Sequence, residues 1–198
     1  GCSTQSLSMR FDDVRFADNY GSTLYHGYYS DLVAMTITFN DCQWSGNRGD
    51  LPSEKAHSVA TSLITMVSRD AADCQKQGTA QGGAHLILEN NNNFTANVFY
   101  PDSLIAAYCG QMEIARSTFS GNNESILSTL QSEVEIAEST FVGNEQSGDS
   151  SASQCILCLA EASTVEIMDT VFAQNEGNLM YNDLTSLTGQ DSLFEQHS

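Results

Sequence analysis

Acidic side chains recur at regular offsets along the chain, and carboxylates at such spacing could bind Ca²⁺ or a basic partner. One set is Glu113, Glu135 and Glu166; the other is Asp13, Asp41, Glu138, Asp169 and Asp191, interrupted by Arg116. Oxygen ligands suit Ca²⁺, whereas solvated charges screened by salt over about 8 Å form a face with no ligand at all. We favour the solvated face. The prediction is no resident cofactor, with Ca²⁺ as the ion that an acidic stripe of Glu113, Glu135, Glu166, Glu138 and Asp169 would accept.

Histidine and cysteine show no spacing typical of a metal site. The histidines are scattered at His26, His57, His85 and His197, so no metal ligands are predicted. The six cysteines are Cys2, Cys42, Cys74, Cys109, Cys155 and Cys158. An even number in an acidic, Ser/Thr-rich chain favours an oxidising compartment. On the apolar strand predicted for CILCL, Cys155 and Cys158 would point to opposite faces, which argues against a local disulfide or a shared metal. Buried thiols or separate disulfides are the favoured interpretation.

Three short motifs bear on an extracellular location. Asn93-Phe94-Thr95 and Asn123-Glu124-Ser125 match the N-glycosylation pattern, so Asn93 and Asn123 are candidate glycosylation sites. Arg48-Gly49-Asp50 matches a cell-adhesion tripeptide, and we interpret it as an ordinary loop because tripeptides recur by chance.

The charge balance excludes several classes of partner. The chain has 198 residues with 25 acids and 7 bases, for a formal net charge of −18. Nucleic acid and anionic membrane surfaces need clustered Lys and Arg, so neither is predicted as a partner. No apolar run approaches the roughly 20 residues that span a bilayer. A hydrophobic content of 40% is too high for a disordered acidic tail.

The elements that must position these residues come from an internal repeat. An apolar–x–apolar pair is followed by an aromatic residue and, three residues later, by Asn. The copies read MRFDDVRFADN, ITFNDCQWSGN, MEIARSTFSGN, VEIAESTFVGN and VEIMDTVFAQN, with FTAN as a partial copy and LTGQDSLFEQH as a degraded one. Their aromatic anchors are Phe16, Trp44, Phe94, Phe119, Phe141, Phe172 and Phe194. The wide gap between Trp44 and Phe94 predicts one hidden unit, for which 58–75 is the candidate segment.

The repeat predicts an all-β, single-domain parallel β-helix over 1–198. Its units are shorter than the roughly 33 residues of a helical solenoid, and they alternate with period two. About eight rungs, each one turn of the chain, are expected at 6–19, 24–47, 58–78, 82–97, 104–122, 126–144, 155–175 and 179–196. Excursions are expected at 48–57, 73–81 and 145–153.

The asparagine after each anchor predicts a second ladder inside the rod. Stacked amides satisfy one another, and Asn tolerates the left-handed backbone of a tight corner. The ladder residues are Asn19, Asn47, Asn97, Asn122, Asn144 and Asn175. Gly46, Gly121 and Gly143 each stand one residue earlier, where a positive φ costs a glycine little.

The motifs GGAH at 82–85 and WSGN, FTAN, FSGN, FVGN and FAQN resemble the GGA and FxxN repeats of chlamydial polymorphic outer-membrane proteins. More loosely, the chain resembles the pectin-lyase-like β-helices. The resemblance implies a right-handed helix and a surface-exposed protein of adhesin-like or scaffolding type. In this sequence GGA occurs once and is followed by His85 in place of an aliphatic residue.

The predicted function is an extracellular or cell-surface structural or adhesive protein. No capping helix is visible at either end, and the edges of a solenoid are normally capped. The chain also begins at Gly1 without methionine, so a leader has been removed or the chain is part of a longer one. We therefore expect a building block that associates through its ends with itself or with other subunits of a surface assembly.

Two alternatives stay open: a carbohydrate-binding or carbohydrate-cleaving β-helix, with glycans as partners, and a receptor-binding adhesin fragment. Enzymatic activity is not predicted, because the NTD, GHG and RIK signatures of the related hydrolases are missing and a fold alone does not give a function.

Overall fold

The computed structural model describes residues 5–21, 24–28, 33–49, 62–68, 84–99, 103–146, 155–160, 163–182 and 186–195. These residues form β-strands and no helix. The strands belong to three sheets, which we call A, B and C. Sheet A contains β1 (Gln5–Asp12), β4 (Val33–Asn40), β7 (Ala84–Glu89), β10 (Gln111–Ala115), β13 (Glu133–Ala137), β16 (Thr164–Met168) and β19 (Ser186–Gln190).

Sheets B and C are built from shorter strands. Sheet B contains β2 (Arg15–Ala17), β5 (Gln43–Ser45), β8 (Asn93–Thr95), β11 (Thr118–Ser120), β14 (Thr140–Val142), β17 (Val171–Ala173) and β20 (Leu193–Glu195). Sheet C contains β3 (Leu24–Tyr28), β6 (Ile64–Ser68), β9 (Ile105–Tyr108), β12 (Leu127–Leu130), β15 (Leu157–Ala160) and β18 (Met180–Asn182).

The chain visits the three sheets in turn, A then B then C. Each inner strand pairs in parallel with the strand one turn earlier and the strand one turn later, and each edge strand pairs with one such neighbour. The prediction of an all-β fold is confirmed. The consistent parallel pairing is compatible with the predicted β-helix, because a chain that coils around one axis brings equivalent strands side by side in the same direction.

The alternation of apolar and polar residues determines which side of each strand faces the core. In sheet A one column of register partners points inward and is apolar throughout: Met9, Ile37, Leu86, Met112, Val134, Val165 and Leu187. Its inner members are 0–3% exposed, whereas Met9 is 38% and Leu187 is 42% exposed. Because successive side chains in a strand point to opposite faces, the charged residues between them lie outside.

The predicted hidden unit between Trp44 and Phe94 is wrong. Strand β5 pairs directly with β8, and Trp44 is the register partner of Phe94. The described strand in the 58–78 range is β6, which lies in sheet C between β3 and β9. This segment therefore supplies one side of a turn. The residue count overestimated the turns because a long connection adds residues without adding a strand to every sheet.

Left-handed residues mark both ends of the sheet B strands from β2 to β17, and the start of β20. Three residues before each aromatic anchor, φ lies between +46° and +54° at Asp13, Asp41, Asn91, Arg116, Glu138, Asp169 and Asp191. Two residues after the anchor, φ is likewise positive at Asp18, Gly46, Ala96, Gly121, Gly143 and Gln174. The prediction for the three glycines is confirmed. The ladder asparagines themselves are not left-handed, because the bend is completed one residue earlier.

Cys155 and Cys158 form a disulfide, with Cα atoms 5.2 Å apart, so the prediction against a local disulfide is wrong. Strand β15 begins at Leu157, and Cys155 therefore precedes the strand and is not bound by its alternation. Cys109 is also disulfide-bonded. Cys42 is buried with a free thiol, which donates to the carbonyl oxygen of Phe11 at 3.4 Å. Cys2 and Cys74 lie outside the described residues.

Candidate functional site

An aromatic stack runs through the interior behind sheet B. Its centroids are separated by 3.9 Å from Phe16 to Trp44, 5.4 Å to Phe94, 4.7 Å to Phe119, 4.6 Å to Phe141 and 4.8 Å to Phe172. Each ring is the middle residue of a three-residue strand, so the strand's two other side chains must face outward. Aromatic pairs contribute about 0.5–1.5 kcal/mol each beyond their burial, so the stack fixes the register of sheet B.

An amide ladder runs parallel to the rings. Asn97 Nδ2 donates to Asn122 Oδ1 at 2.9 Å and to the carbonyl oxygen of Trp44 at 3.0 Å. The backbone N–H of Asn97 donates to the same Oδ1 at 3.0 Å. The pattern repeats in order at Asn19, Asn47, Asn97, Asn122, Asn144 and Asn175. Because a buried amide is costly without partners, these two-way bonds are what allow Asn at 0–1% exposure from Asn47 to Asn175.

A hydroxyl ladder, which the sequence analysis did not identify, lies at the corner between sheets A and B. The backbone N–H of Ser117 donates to Ser139 Oγ at 3.2 Å, and that of Ser139 donates to Thr170 Oγ1 at 3.4 Å. Each hydroxyl also donates to the carbonyl oxygen two residues earlier, as Ser139 does to Ala137 at 2.8 Å. The signal was present in the sequence, since these residues stand two positions before an aromatic anchor, on the same side of the chain as the anchor, and yet are Ser or Thr.

The three glutamates of the acidic stripe in sheet A are direct register partners, Glu113 with Glu135 and Glu135 with Glu166. All three are exposed. His85 Nε2 lies 3.0 Å from Glu113 Oε1. Within the described residues Glu135 and Glu166 have neither an ion pair nor a side-chain hydrogen bond. A shallow groove covers this face, lined by Gln111, Glu113, Glu133, Glu135, Thr164 and Glu166.

The second set of acids, three residues before the aromatic anchors, occurs there because of the backbone conformation at these positions. Asp13, Asp41, Glu138, Asp169 and Asp191 are all left-handed corner residues. Asp and Asn adopt this conformation more readily than most residues because their short polar side chains bond locally. Arg116, in the same column, donates to Asn90 Oδ1 from Nη2 at 2.7 Å and lies 3.8 Å from Glu138. Among the described residues, no group of three or more acids, histidines or cysteines is arranged to hold a metal ion.

The arginine on the outer face of sheet A, Arg10, lies at the β1 end. Arg10 lies 2.8 Å from Asp12 and 2.6 Å from Glu89, so it bridges β1 and β7. Hydrogen bonds to Glu89 and then to Asp12 raise the pKa of Arg10. In the described chain no cation lies beside the carboxylates of β13 and β16, although Glu133 accepts a hydrogen bond from Gln111 Nε2 at 2.9 Å. The face therefore changes from paired charges at β1–β7 to unpaired carboxylates at β13–β16.

The two glycosylation candidates occupy different settings. Asn93 is exposed at the start of β8, whereas Asn123 is half-buried and its Oδ1 has no hydrogen-bond partner among the described residues. Of the adhesion tripeptide, Arg48 is exposed and Gly49 is buried, while Asp50 lies outside the described residues. His57 and His197 also lie outside them. In the described chain, no helix is long and apolar enough to cross a membrane.

No family model matches the chain, and no curated protein matches it. Among solved structures, it is similar to PfbA, a surface adhesin of Streptococcus pneumoniae, at 9% identity and a TM-score of 0.21, covering 96% of this chain and 71% of that chain. It is also similar to trypsin-treated QnrB1, a plasmid-mediated fluoroquinolone resistance protein, at 9% identity and a TM-score of 0.17, covering 93% and 92%. Likenesses at these scores carry no argument about fold or function.

Proposed function

We propose that the chain is a right-handed parallel β-helix of about seven turns, one fewer than the sequence predicts because the hidden unit is absent, and that it serves as an extracellular structural or adhesive protein. In this proposal it is a building block that joins copies of itself, or other surface subunits, through its two ends. The handedness follows the resemblance to the polymorphic outer-membrane and pectin-lyase-like proteins.

The observation that carries the proposal is the exposure of core-facing side chains on the terminal strands of sheet A. Leu7 and Met9 of β1 are 51% and 38% exposed, and Leu187 of β19 is 42% exposed. The equivalent inner residues, such as Ile37 and Val165, are fully buried. Apolar residues at these positions are favourable when a further parallel strand covers them, because burial then removes their surface from water.

The two ends also complement one another in size. In the next inward column of sheet A, Phe11 stands at the β1 end and Gly189 at the β19 end. A Cβ added at Gly189 would meet no heavy atom within 4 Å, so this position offers open space above Ile167. When β19 of one copy meets β1 of the next, the ring of Phe11 fills that space. Head-to-tail contacts of this kind generate filaments when the rotation does not close.

The test is the assembly state of the purified chain, by light scattering and electron microscopy at near-physiological salt. We expect end-to-end particles or filaments, favoured by added salt, because screening weakens the self-repulsion of a net charge of −18. Leu187→Asp is expected to abolish them. Leu193→Asp is the matched control, since Leu193 is 48% exposed but is the register partner of Val171 on the outer face of sheet B. A monomer of 21.5 kDa under all salt conditions would overturn the proposal.

A second candidate function is carbohydrate binding at the acidic groove of sheet A. Gln111, Glu133 and Thr164 place amide, carboxylate and hydroxyl groups along one column, and such groups bind sugar hydroxyls. The groove contains no aromatic residue, so it lacks the apolar surface on which sugar rings pack, and we rank it second. Calorimetric titration with neutral and anionic oligosaccharides, each with and without Ca²⁺, tests it; Glu135→Gln should remove any binding seen.

A further inference from the structure

We infer that Asn93 is a site of N-linked glycosylation and that Asn123, although it matches the same sequence pattern, is not. The pattern alone treats the two residues as equivalent. The distinction comes from the backbone and from the surroundings of each side chain. It depends on the extracellular location proposed above, and it is independent of any assembly through the ends.

Asn93 and Thr95 flank a ring that is locked in the core. Phe94 is fully buried between Trp44 and Phe119, so both neighbours in β8 must face solvent. Thr95 Oγ1 donates to Asn93 Oδ1 at 2.7 Å. This bond holds the acceptor asparagine and its hydroxyl partner together on an extended strand, and it orients the amide nitrogen away from Thr95.

The amide nitrogen of Asn93 is available for a bond to sugar. No described residue accepts a hydrogen bond from Asn93 Nδ2, and Asn93 is exposed. Its neighbours in the column are Gln43 and Thr118, neither of which carries a charge. A first sugar at Nδ2 would therefore displace only water.

The outer face of sheet B around Asn93 is uncharged in a strongly acidic molecule. From β5 to β17 its outward residues are Gln43, Ser45, Asn93, Thr95, Thr118, Ser120, Thr140, Val142, Val171 and Ala173. These are small side chains on short strands, so they leave room for a glycan to lie along the sheet. A glycan would also hydrate this uncharged strip.

Asn123 lies in a tightly packed bend that follows β11. Glu124, the middle residue of its triplet, is 2% exposed and has φ of +81°. The Asn123 N–H donates to the carbonyl oxygen of Asn97, and the Glu124 N–H donates to that of Glu145. Asn123 Oδ1 is itself buried. A sugar at Asn123 would have to displace this packed corner, so the folded chain is not compatible with a glycan there.

The reaction at Asn93 needs a lipid-diphosphate-linked oligosaccharide and its transferase. The Nδ2–C1 bond forms as the bond between C1 and the phosphate oxygen breaks. The bonding electron pair leaves with the lipid diphosphate, and one amide proton passes to a base of the transferase. Nothing is oxidised or reduced.

The experiment is secretion of the 198-residue chain from a eukaryotic cell line behind a cleavable leader. The folded fraction is treated with a peptide N-glycosidase in ¹⁸O-water, which converts a glycosylated Asn to labelled Asp, and is mapped by mass spectrometry. We expect the label at Asn93 and none at Asn123. The Thr95→Ala variant should lose the glycan while it keeps Asn93, Thr95→Ser should retain it, and Asn123→Gln should change nothing.

Three results would overturn the inference: label at Asn123 alone, label at both residues, or no label in folded, secreted protein. None of these outcomes affects the assembly proposal, which is measured on unglycosylated chain. Assembly without label would therefore reject the glycosylation site and leave the proposed function in place.

Discussion

At the scale of single residues, the inner ladder asparagines from Asn47 to Asn144 combine burial with complete hydrogen bonding. Asn122 Oδ1 accepts from the N–H and the Nδ2 of Asn97, and Asn122 Nδ2 donates to Phe94 and Asn144. Replacing Asn122 by Ala leaves several of these buried groups without partners. The free energy of unfolding should fall by about 2–4 kcal/mol, since each unsatisfied buried group costs about 1–3 kcal/mol.

Chemical denaturation of Asn122→Ala measures this loss, and Asn93→Ala is the control. Asn93 is exposed, so its replacement should change stability by no more than about 0.5 kcal/mol. Equal stabilities of the two variants would show that the amide ladder contributes nothing specific.

Ala96 adopts a left-handed backbone conformation that its Cβ makes unfavourable. Its φ is +53°, at the position where other turns have Gly46, Gly121 or Gly143, and a left-handed residue with a Cβ costs about 1–2 kcal/mol. Ala96→Gly should therefore raise the free energy of unfolding by about 1 kcal/mol. Ala107→Gly, at a buried position inside β9, should lower it by a similar amount, because glycine weakens a strand interior. Changes of the same sign in both variants would contradict the assignment.

At the scale of elements, the outer face of sheet A contains like charges held in register by the backbone. Parallel strands lie about 4.8 Å apart, so Glu113, Glu135 and Glu166 repel one another. Glu135→Gln should raise the thermal midpoint at low salt, by an amount that disappears above about 0.5 M salt as screening becomes complete. Glu138→Gln should lower the midpoint slightly, because Glu138 faces Arg116 at 3.8 Å.

The repeat predicted the positions of the buried rings and amides better than it predicted the number of turns. The aromatic–x–x–Asn phrase placed the rings and the amides, because both depend on side chains that a short repeat displays directly. The turn count failed at Trp44–Phe94, where a long connection enters one turn. The Cys155–Cys158 disulfide was missed because the strand begins only at Leu157. The acidic corner column was interpreted as a surface charge pattern, whereas its positive φ values give it a backbone origin that no residue count shows.

At the scale of the whole molecule, stability should be graded along the stack of turns. Each turn packs only against its neighbours, so inner turns are covered on both sides and terminal ones on a single side. All residues of β19 are exposed, whereas β10 and β13 bury alternate residues. Amide hydrogen exchange should be slowest in β8–β14 and fastest in β1 and β19. Uniform protection along the chain would contradict this gradient.

The amide ladder also gives the molecule a direction. Every amide donates toward the turn that follows it in the chain, from Asn19 to Asn47 and onward to Asn175. The small dipoles of these groups all point the same way, so they add along the axis as the peptide units of an α-helix do. The column begins at Asn19 and stops at Asn175, which is buried and whose Nδ2 donates back to the carbonyl oxygen of Phe141. A head-to-tail chain of such molecules would keep this direction throughout, so it would be a polar polymer with two chemically different tips.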